Sequence, residues 1–249
     1  MIAWSQSLTG AAGRVRLALT DRDGGVSVGP WGAAAGGGLN LATHVDDDPA
    51  AVTANRQRLC TELAVPPDAL VVADQVHGRD VVQVSGPCPQ PPEADALVTD
   101  RPGLVLTVLV ADCVPVLLAD AERGVVGVAH AGRPGMVAGV VGAAVTAMRD
   151  LGARTLVARL GPSVCPRCYE VPLAMREDVA ARRPETRSLT WDARPSVDVA
   201  AGVLAQLSEL GVGVRQLPGC TVESDRLYSY RRDGLTGRFA GLAWLEEAA

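Results

Sequence analysis

Residues 103–132 read GLVLTVLVADCVPVLLADAERGVVGVAHAG. Three apolar runs within it, residues 103–110, 114–119 and 124–129, are of strand length, rich in Val and Leu, and free of polar alternation. Such runs are expected of strands buried on both faces, in a sheet covered on each side. Ala111-Asp112-Cys113 separates the first two runs and reads as the turn of an apolar hairpin, while His130-Ala131-Gly132 closes the third. Residues 134–151, dominated by Ala and Val, read as a helix packed behind these strands. The stretch predicts an α/β fold with its densest core here.

Outward from it, residues 15–19 form a short strand, and the Gly-rich connection 23–38 that follows is expected to be flexible. Residues 49–63 read as a helix, because Asp48 can cap it, Pro49 suits the first turn, and Val52, Leu59 and Leu63 recur at helical spacing. Residues 70–76 and 80–84 are β-branched runs joined by His77-Gly78-Arg79, a hairpin-like arrangement with the histidine at the turn. The prolines of residues 87–92 exclude a central strand and make a loop that delivers Glu93-Ala94-Asp95-Ala96 to the next element. Toward the C-terminus, 155–160 is a buried strand, 173–181 and 197–210 are helical, and 213–216 is a weak strand. Neither an internal repeat nor a linker is visible, so residues 1–249 are expected to form a single domain.

Composition narrows the function. The chain has 28 acidic and 23 basic residues, for a formal charge of −5, and every base is Arg. With no Lys, Schiff-base chemistry and a P-loop lysine are excluded, and an anion site must use Arg, backbone N–H groups or a metal. Eight aromatic residues (four Trp, three Tyr, one Phe) cannot build stacked single-strand platforms, and no basic run exceeds the pairs Arg182-Arg183 and Arg231-Arg232. Nucleic acid is therefore not an expected partner. Nor is a membrane, since the apolar stretch 103–119 is interrupted by Asp112 and 135–148 is too short to span. The opening Met1-Ile2-Ala3-Trp4-Ser5-Gln6 lacks an export signal, so a cytoplasmic location is expected, where six cysteines are more readily buried, metal-bound or reactive than bridged.

Two of the three histidines, His77 and His130, end β-rich runs, and Cys113 lies between them. Side chains at strand ends can converge while the sheet holds their geometry, so His77, Cys113 and His130 are a candidate three-ligand site. Two imidazoles and a thiolate suit Zn²⁺, and three protein ligands leave a fourth position for a water whose pKa zinc lowers to about 7. The same residues support a second reading, with Cys113 as a thiolate nucleophile and a histidine as its base. A third makes one histidine a satisfied core residue and Cys113 a small buried hydrophobe. Separations of 36 and 17 residues match no compact zinc signature, so spacing alone leaves all three open.

Asp74-Gln75-Val76-His77-Gly78, Ala111-Asp112-Cys113-Val114-Pro115-Val116-Leu117 and Ala129-His130-Ala131-Gly132 resemble the signature blocks of the YfiH-like, or laccase-domain, family. Asn40-Leu41, His44-Val45, Asn55-Arg56, Gly161-Pro162, Tyr169-Glu170-Val171, and the run from Ser229 to Gly234 with Thr236-Gly237-Arg238 extend the likeness from about Thr20 to Leu245, in the family's order. The resemblance implies a layered α/β/β/α sandwich of mixed sheets, related in architecture to bacterial toxins with a Cys-His hydrolase site. It implies a zinc site of His77, Cys113 and His130 that is also the catalytic centre. The implied activity is phosphorolysis of adenosine, inosine, guanosine and methylthioadenosine, with deamination of adenosine, so that a nucleoside and phosphate are the expected partners. It also admits a Cys-His amide hydrolase that edits peptidoglycan precursors, and a copper polyphenol oxidase. Three histidines are too few for a multicopper centre, which makes copper the poorer expectation.

Asn40, Arg56, Asp112 and Arg133 are candidates for substrate or phosphate. Arg133 would stand at the start of the helix near Pro134, where free N–H groups and the dipole favour an anion. Here the chain departs from the family, which usually has Trp-Arg-Gly where this sequence has Arg133-Pro134-Gly135. Arg56, on a helix, reads more readily as a solvated or ion-paired surface group. Asp112 could orient a ligand, act as an acid or base, or serve structure alone. In Ser229 to Arg232, Tyr230 and the two arginines could line a pocket or pin the last strand. Cys165-Pro166-Arg167-Cys168 could be a redox dithiol or half of a zinc site, but no second Cys-x-x-Cys accompanies it, and it is expected to be a loop with structural or incidental thiols. Asp46-Asp47-Asp48 is read as a helix cap; His44 could approach a site through its loop, but a capping or core role is the expectation.

Overall fold

The computed structural model describes residues 1–34 and 36–247, so Ala35 of the Gly-rich connection and the last two residues of the expected domain lie outside the described part. The three apolar runs occupy the middle of two stacked sheets. A five-stranded sheet runs in the order Ile2–Gly10, Gly13–Thr20, Phe239–Leu245, Val105–Val110, Leu70–Val72. A six-stranded sheet runs Gly213–Gln216, Val157–Leu160, Val114–Asp120, Val125–Ala131, Ala96–Thr99, Val81–Gln83. Both are mixed, with Leu70–Val72 parallel to Val105–Val110 and Val81–Gln83 parallel to Ala96–Thr99.

The two-residue period of a strand explains why these runs are apolar throughout. From Val114–Asp120, Leu117 and Ala119 enter the core between the sheets, whereas Val116 and Leu118 enter the core beneath the helices. From Val105–Val110, Leu106 and Val108 face the other sheet, while Val105 and Leu109 face the Pro49–Leu63 helix side. Helices Val140–Asp150 and Val199–Glu209 cover the six-stranded sheet through Val141, Val145, Met148, Val203 and Leu207, all fully buried. Helix Pro49–Leu63 covers the other sheet through Leu59, giving the layer order α/β/β/α. Each fully buried Leu contributes roughly 1.5–3 kcal/mol through removal of apolar surface from water. Among the described residues no helix is long and apolar enough to cross a membrane.

Three expectations need correction. Neither apparent hairpin is one, because Leu70–Val72 and Val105–Val110 lie in the five-stranded sheet while Val81–Gln83 and Val114–Asp120 lie in the six-stranded sheet. Hairpins and sheet-to-sheet arches share the same run–turn–run pattern, so alternation alone cannot distinguish them. The helix expected over 134–151 is two helices, Arg133–Ala138 and Val140–Asp150, because Gly139 adopts a left-handed φ of 90°. The described residues of the Gly-rich connection are pinned rather than free: they include strand Asp23–Ser27, and buried Asn55 accepts from the Val26 amide while donating to the carbonyls of Gly38 and Asn40. Gly25 is needed for this approach, since a Cβ there would lie 2.1 Å from the Gly38 carbonyl oxygen. Asp48 caps the Pro49–Leu63 helix, accepting from the Ala50 amide at 2.9 Å.

Candidate metal centre and its cleft

The two arches place the chemistry. His77 lies where the chain passes from the five-stranded to the six-stranded sheet, Cys113 lies at the second such crossing, and His130 is near the end of strand Val125–Ala131. Both arches contain a non-glycine residue with left-handed backbone, His77 at φ 60° and Asp112 at φ 96°. Such conformations persist only where surrounding bonds over-determine them, and here the bonds are identifiable.

Asp95 holds the first arch. Its fully buried carboxylate accepts from the amides of Val76 (3.2 Å), His77 (3.0 Å) and Gly78 (2.6 Å), and it meets Nδ1 of His130 at 2.8 Å. Burial alone would raise the Asp95 pKa, but the bonds from His130 and the arch amides outweigh it and hold the carboxyl below its ordinary range. Gln75 locks the same arch to the five-stranded sheet, its amide group exchanging two hydrogen bonds with the Leu109 backbone at 2.8 and 2.7 Å. Asp112 holds the second arch, accepting from Thr221 Oγ1, Ser229 Oγ and the Arg231 amide, each at 2.6 Å.

With the arches fixed, one ligand atom each from His77, Cys113 and His130 lies within 4.8 Å of the others. The Cys113 sulfur is 3.9 Å from His77 Nε2, and the two imidazoles meet edge to face with centroids 4.7 Å apart. Because Asp95 occupies Nδ1 of His130, Nε2 is the ring nitrogen left for the cluster, the arrangement that orients metal-ligating histidines in general. Burial opposes charge at Cys113, yet the imidazoles of His130 and His77 lower its thiol to about 6. Burial likewise opposes charge on His130, but Cys113 and Asp95 raise it to about 9. Burial instead pushes the thiols of Cys165 and Cys168 upward, so Cys113 is set apart as a sulfur that favours its thiolate near neutral pH. Gly132 is required at close quarters, since a Cβ there would stand 2.8 Å from His77 Cδ2 and 3.1 Å from the Cys113 sulfur.

The cluster opens into a cleft of about 400 Å³ whose lining includes Asp112, Tyr169, Tyr230 and three arginines, Arg133, Arg231 and Arg238. Arg231 lies over the Tyr169 ring at 4.8 Å, and Arg238 approaches the Tyr230 ring at 6.0 Å. Burial draws the Arg238 guanidinium below its ordinary pKa, while its Nη1 donates to the carbonyls of Thr236 and Gly237. His44 also lines the cleft, and burial together with Arg238 keeps its imidazole pKa low.

Of the sequence candidates, His77, Cys113, His130, Asp112 and Arg133 meet in this cleft, while Asn40 and Arg56 have other partners. Asn40 is fully buried and bonds Asp47, Ala42 and the Arg238 amide; Arg56 donates from Nε and Nη2 to the Leu41 carbonyl. Both shape the loop under His44 and Arg238 and do not line the cleft. Arg232 pins the chain, donating to the carbonyls of Thr221, Ser224 and Leu227, whereas its neighbours Tyr230 and Arg231 face the cleft. The helix at Arg133 is only six residues long, so the anion argument at that point rests on the guanidinium side chains. Gln75 lies inside the block of residues 74–78 with nothing in the sequence to show its role, and Asp95 is marked only by Glu93-Ala94-Asp95-Ala96 following a Pro-rich loop into a strand.

A family described as multi-copper polyphenol oxidoreductase laccase matches residues 16–246. The chain belongs to this laccase-domain family. A Streptomyces griseus relative named purine nucleoside phosphorylase is 55% identical over 240 residues, covering 94% of this chain and 96% of that protein. A Streptomyces coelicolor relative of the same name is 52% identical, over 99% of this chain and 100% of its own. Among solved structures, a Neisseria meningitidis protein superposes with a TM-score of 0.84 at 33% identity, covering 98% of this chain and 99% of that chain. The hypothetical protein YfiH of Bacillus licheniformis gives a TM-score of 0.83 at 27% identity, with 93% of each chain covered. The α/β/β/α sandwich expected from the sequence is thus the architecture observed.

Proposed function

We propose that the protein is a zinc-dependent purine nucleoside phosphorylase acting on adenosine, inosine, guanosine or methylthioadenosine, with adenosine deamination as a side activity. The observation that carries this reading is one cleft holding a compact His-Cys-His donor set beside three arginines and two tyrosines. The names of the Streptomyces relatives support it. A nucleoside and phosphate are the partners, and the cytoplasm is the proposed location.

The donor set fits zinc better than copper. His77, Cys113 and His130 supply two nitrogens and a sulfur, with Asp95 orienting His130, while the third histidine of the chain, His44, stands outside the cluster. Multicopper centres need more imidazoles than this chain contains. When bound, zinc would supply Lewis acidity at the floor of the cleft.

The chain's own residues account for the rest. Phosphorolysis breaks the bond from ribose to purine and joins phosphate to the same carbon, so phosphate must be held beside the sugar. Arg133, Arg231 and Arg238 are placed for that, and Arg238, already partly desolvated, gains most from an anion. Tyr230, 62% exposed on the cleft wall, offers a ring face for the purine. Asp112, with three hydrogen bonds already made, positions Arg231 and the arch. His44, neutral at physiological pH because its pKa is lowered, offers an acceptor to the base or sugar.

A specific observation favours one second reading. The lowered thiol of Cys113 beside His77 Nε2 is also what a Cys-His amide hydrolase requires.

Arg133→Ala is expected to raise the KM for phosphate about tenfold, the loss of one charge-assisted contact, with little change in phosphate-independent deamination. Initial rates at varied phosphate check this. Unchanged phosphate affinity would remove Arg133 from the anion site.

A further inference from the structure

We propose that the protein carries a second, structural zinc site formed by Cys165, Cys168, Cys220 and Glu223. One ligand atom from each of these four residues lies within 4.8 Å of the others, so the fold collects three sulfurs and a carboxylate from segments more than fifty residues apart. The Glu223 Oε1 is 3.4 Å from the Cys168 sulfur and 3.9 Å from the Cys165 sulfur. Tetrahedral zinc with bonds of about 2.3 Å to sulfur and 2.1 Å to oxygen needs sulfur–oxygen separations of roughly 3.6 Å, between these two values.

The local backbone has the form of two facing knuckles. Cys165-Pro166-Arg167-Cys168 makes a turn closed by the Cys168 amide on the Cys165 carbonyl at 3.0 Å. Residues 220–224, which contain Cys220-Thr221-Val222-Glu223, make a turn one residue wider, closed by the Ser224 amide on the Cys220 carbonyl at 3.1 Å. The missing second half of a zinc site is therefore Cys-x-x-Glu, which a search for paired Cys-x-x-Cys motifs passes over. The Cys165 amide donates to the Cys220 sulfur at 3.3 Å, a bond that steadies a thiolate ligand. The knuckles are joined side by side, with a parallel bridge between Ser163 and Cys220 and the Thr221 amide on the Ser163 carbonyl at 3.1 Å.

A redox dithiol is the competing use of Cys165 and Cys168. Dithiols of that kind gain reactivity from a helix N-terminus, whereas the next helix here begins only at Leu173. The cluster instead has four donors, three of them soft, which is the zinc preference. On binding, each thiol releases its proton to solvent and the metal joins the two segments. Those segments carry one wall of the cleft: Val164 and Tyr169 flank the first knuckle, and Thr221 of the second bonds Asp112. The site would brace that wall without taking part in the reaction, and it is independent of the phosphorylase reading.

The test is metal stoichiometry by mass spectrometry on full-length protein produced with zinc. Wild type is expected to hold two zinc per chain, Cys113→Ala one, Cys168→Ser one, and the double variant none. Cys168→Ser should also lower Tm, on the order of 10 °C. Should Cys168→Ser fail to fold, cobalt substitution of Cys113→Ala leaves the cluster intact, and thiolate-to-cobalt charge-transfer absorption is expected. A Cys113→Ala protein that retains no zinc and shows no such absorption overturns the proposal, as does an intact mass lower by two hydrogens that marks a Cys165–Cys168 disulfide. Wild type holding a single zinc that Cys168→Ser removes and Cys113→Ala retains would instead leave this site standing and count against the cleft metal.

Discussion

Cys113→Ala is expected to lower kcat/KM for nucleoside phosphorolysis at least about 10³-fold and to release the zinc associated with the cleft. The magnitude follows from removing a Lewis acid that stabilises transition-state charge by several kcal/mol, at 1.36 kcal/mol per factor of ten. Two imidazoles from His77 and His130 remain, but loss of the anionic ligand removes both a bond and the charge that offsets the cation. The fold should survive, because Cys113 is only partly buried and the arch is held by Asp112 and its three hydrogen-bond donors. Zinc content and turnover should fall together. If turnover disappears while the cleft zinc is retained, Cys113 acts in the reaction itself and is not required to hold the metal.

The second large effect belongs to a residue that never touches the metal cluster's open side. Asp95→Asn keeps the shape of the side chain but replaces one acceptor oxygen with a donor, facing a group of three amides and a buried imidazole. At least one N–H is then left unpaired in the interior, and loss of the charged acceptor weakens the others, at a cost of about 2–4 kcal/mol in stability. The His130 ring also loses the partner that fixes its tautomer, which typically weakens metal binding 10–100-fold. Equilibrium unfolding together with competitive zinc titration checks both halves. A variant with reduced stability but unaltered zinc affinity would show that Asp95 builds the arch without tuning the site.

The legibility of the sequence differed by level. Burial of residues 103–129 on both faces was readable because neither alternating face of those strands meets water, and that was enough for an α/β fold. Pairing was not readable. His77-Gly78-Arg79 and Ala111-Asp112-Cys113 look like hairpin turns, and only the tertiary structure shows each strand going to a different sheet. That difference is what brings His77 and Cys113 together, since both arches cross the sandwich beside the end of strand Val125–Ala131. The candidate ligands could be listed from residue type and position, but their supports could not. Asp95 acts through backbone amides of residues 76–78, and Gln75 imitates a strand partner for Leu109; neither leaves a spacing pattern. Arg56 shows the opposite case, a cation that reads as available in sequence while its guanidinium is committed to the Leu41 carbonyl. Cys165 and Cys168 were readable as a pair, whereas their partners Cys220 and Glu223 became visible only through the fold.

The measurement that bears most directly on the central claim is chromatographic analysis of adenosine incubated with zinc-loaded protein, with and without phosphate, beside the Cys113→Ala protein. The account predicts adenine and ribose-1-phosphate that require phosphate and vanish in the variant, with inosine as a minor product formed without phosphate. Adenosine left intact by zinc-loaded protein under both conditions would contradict it.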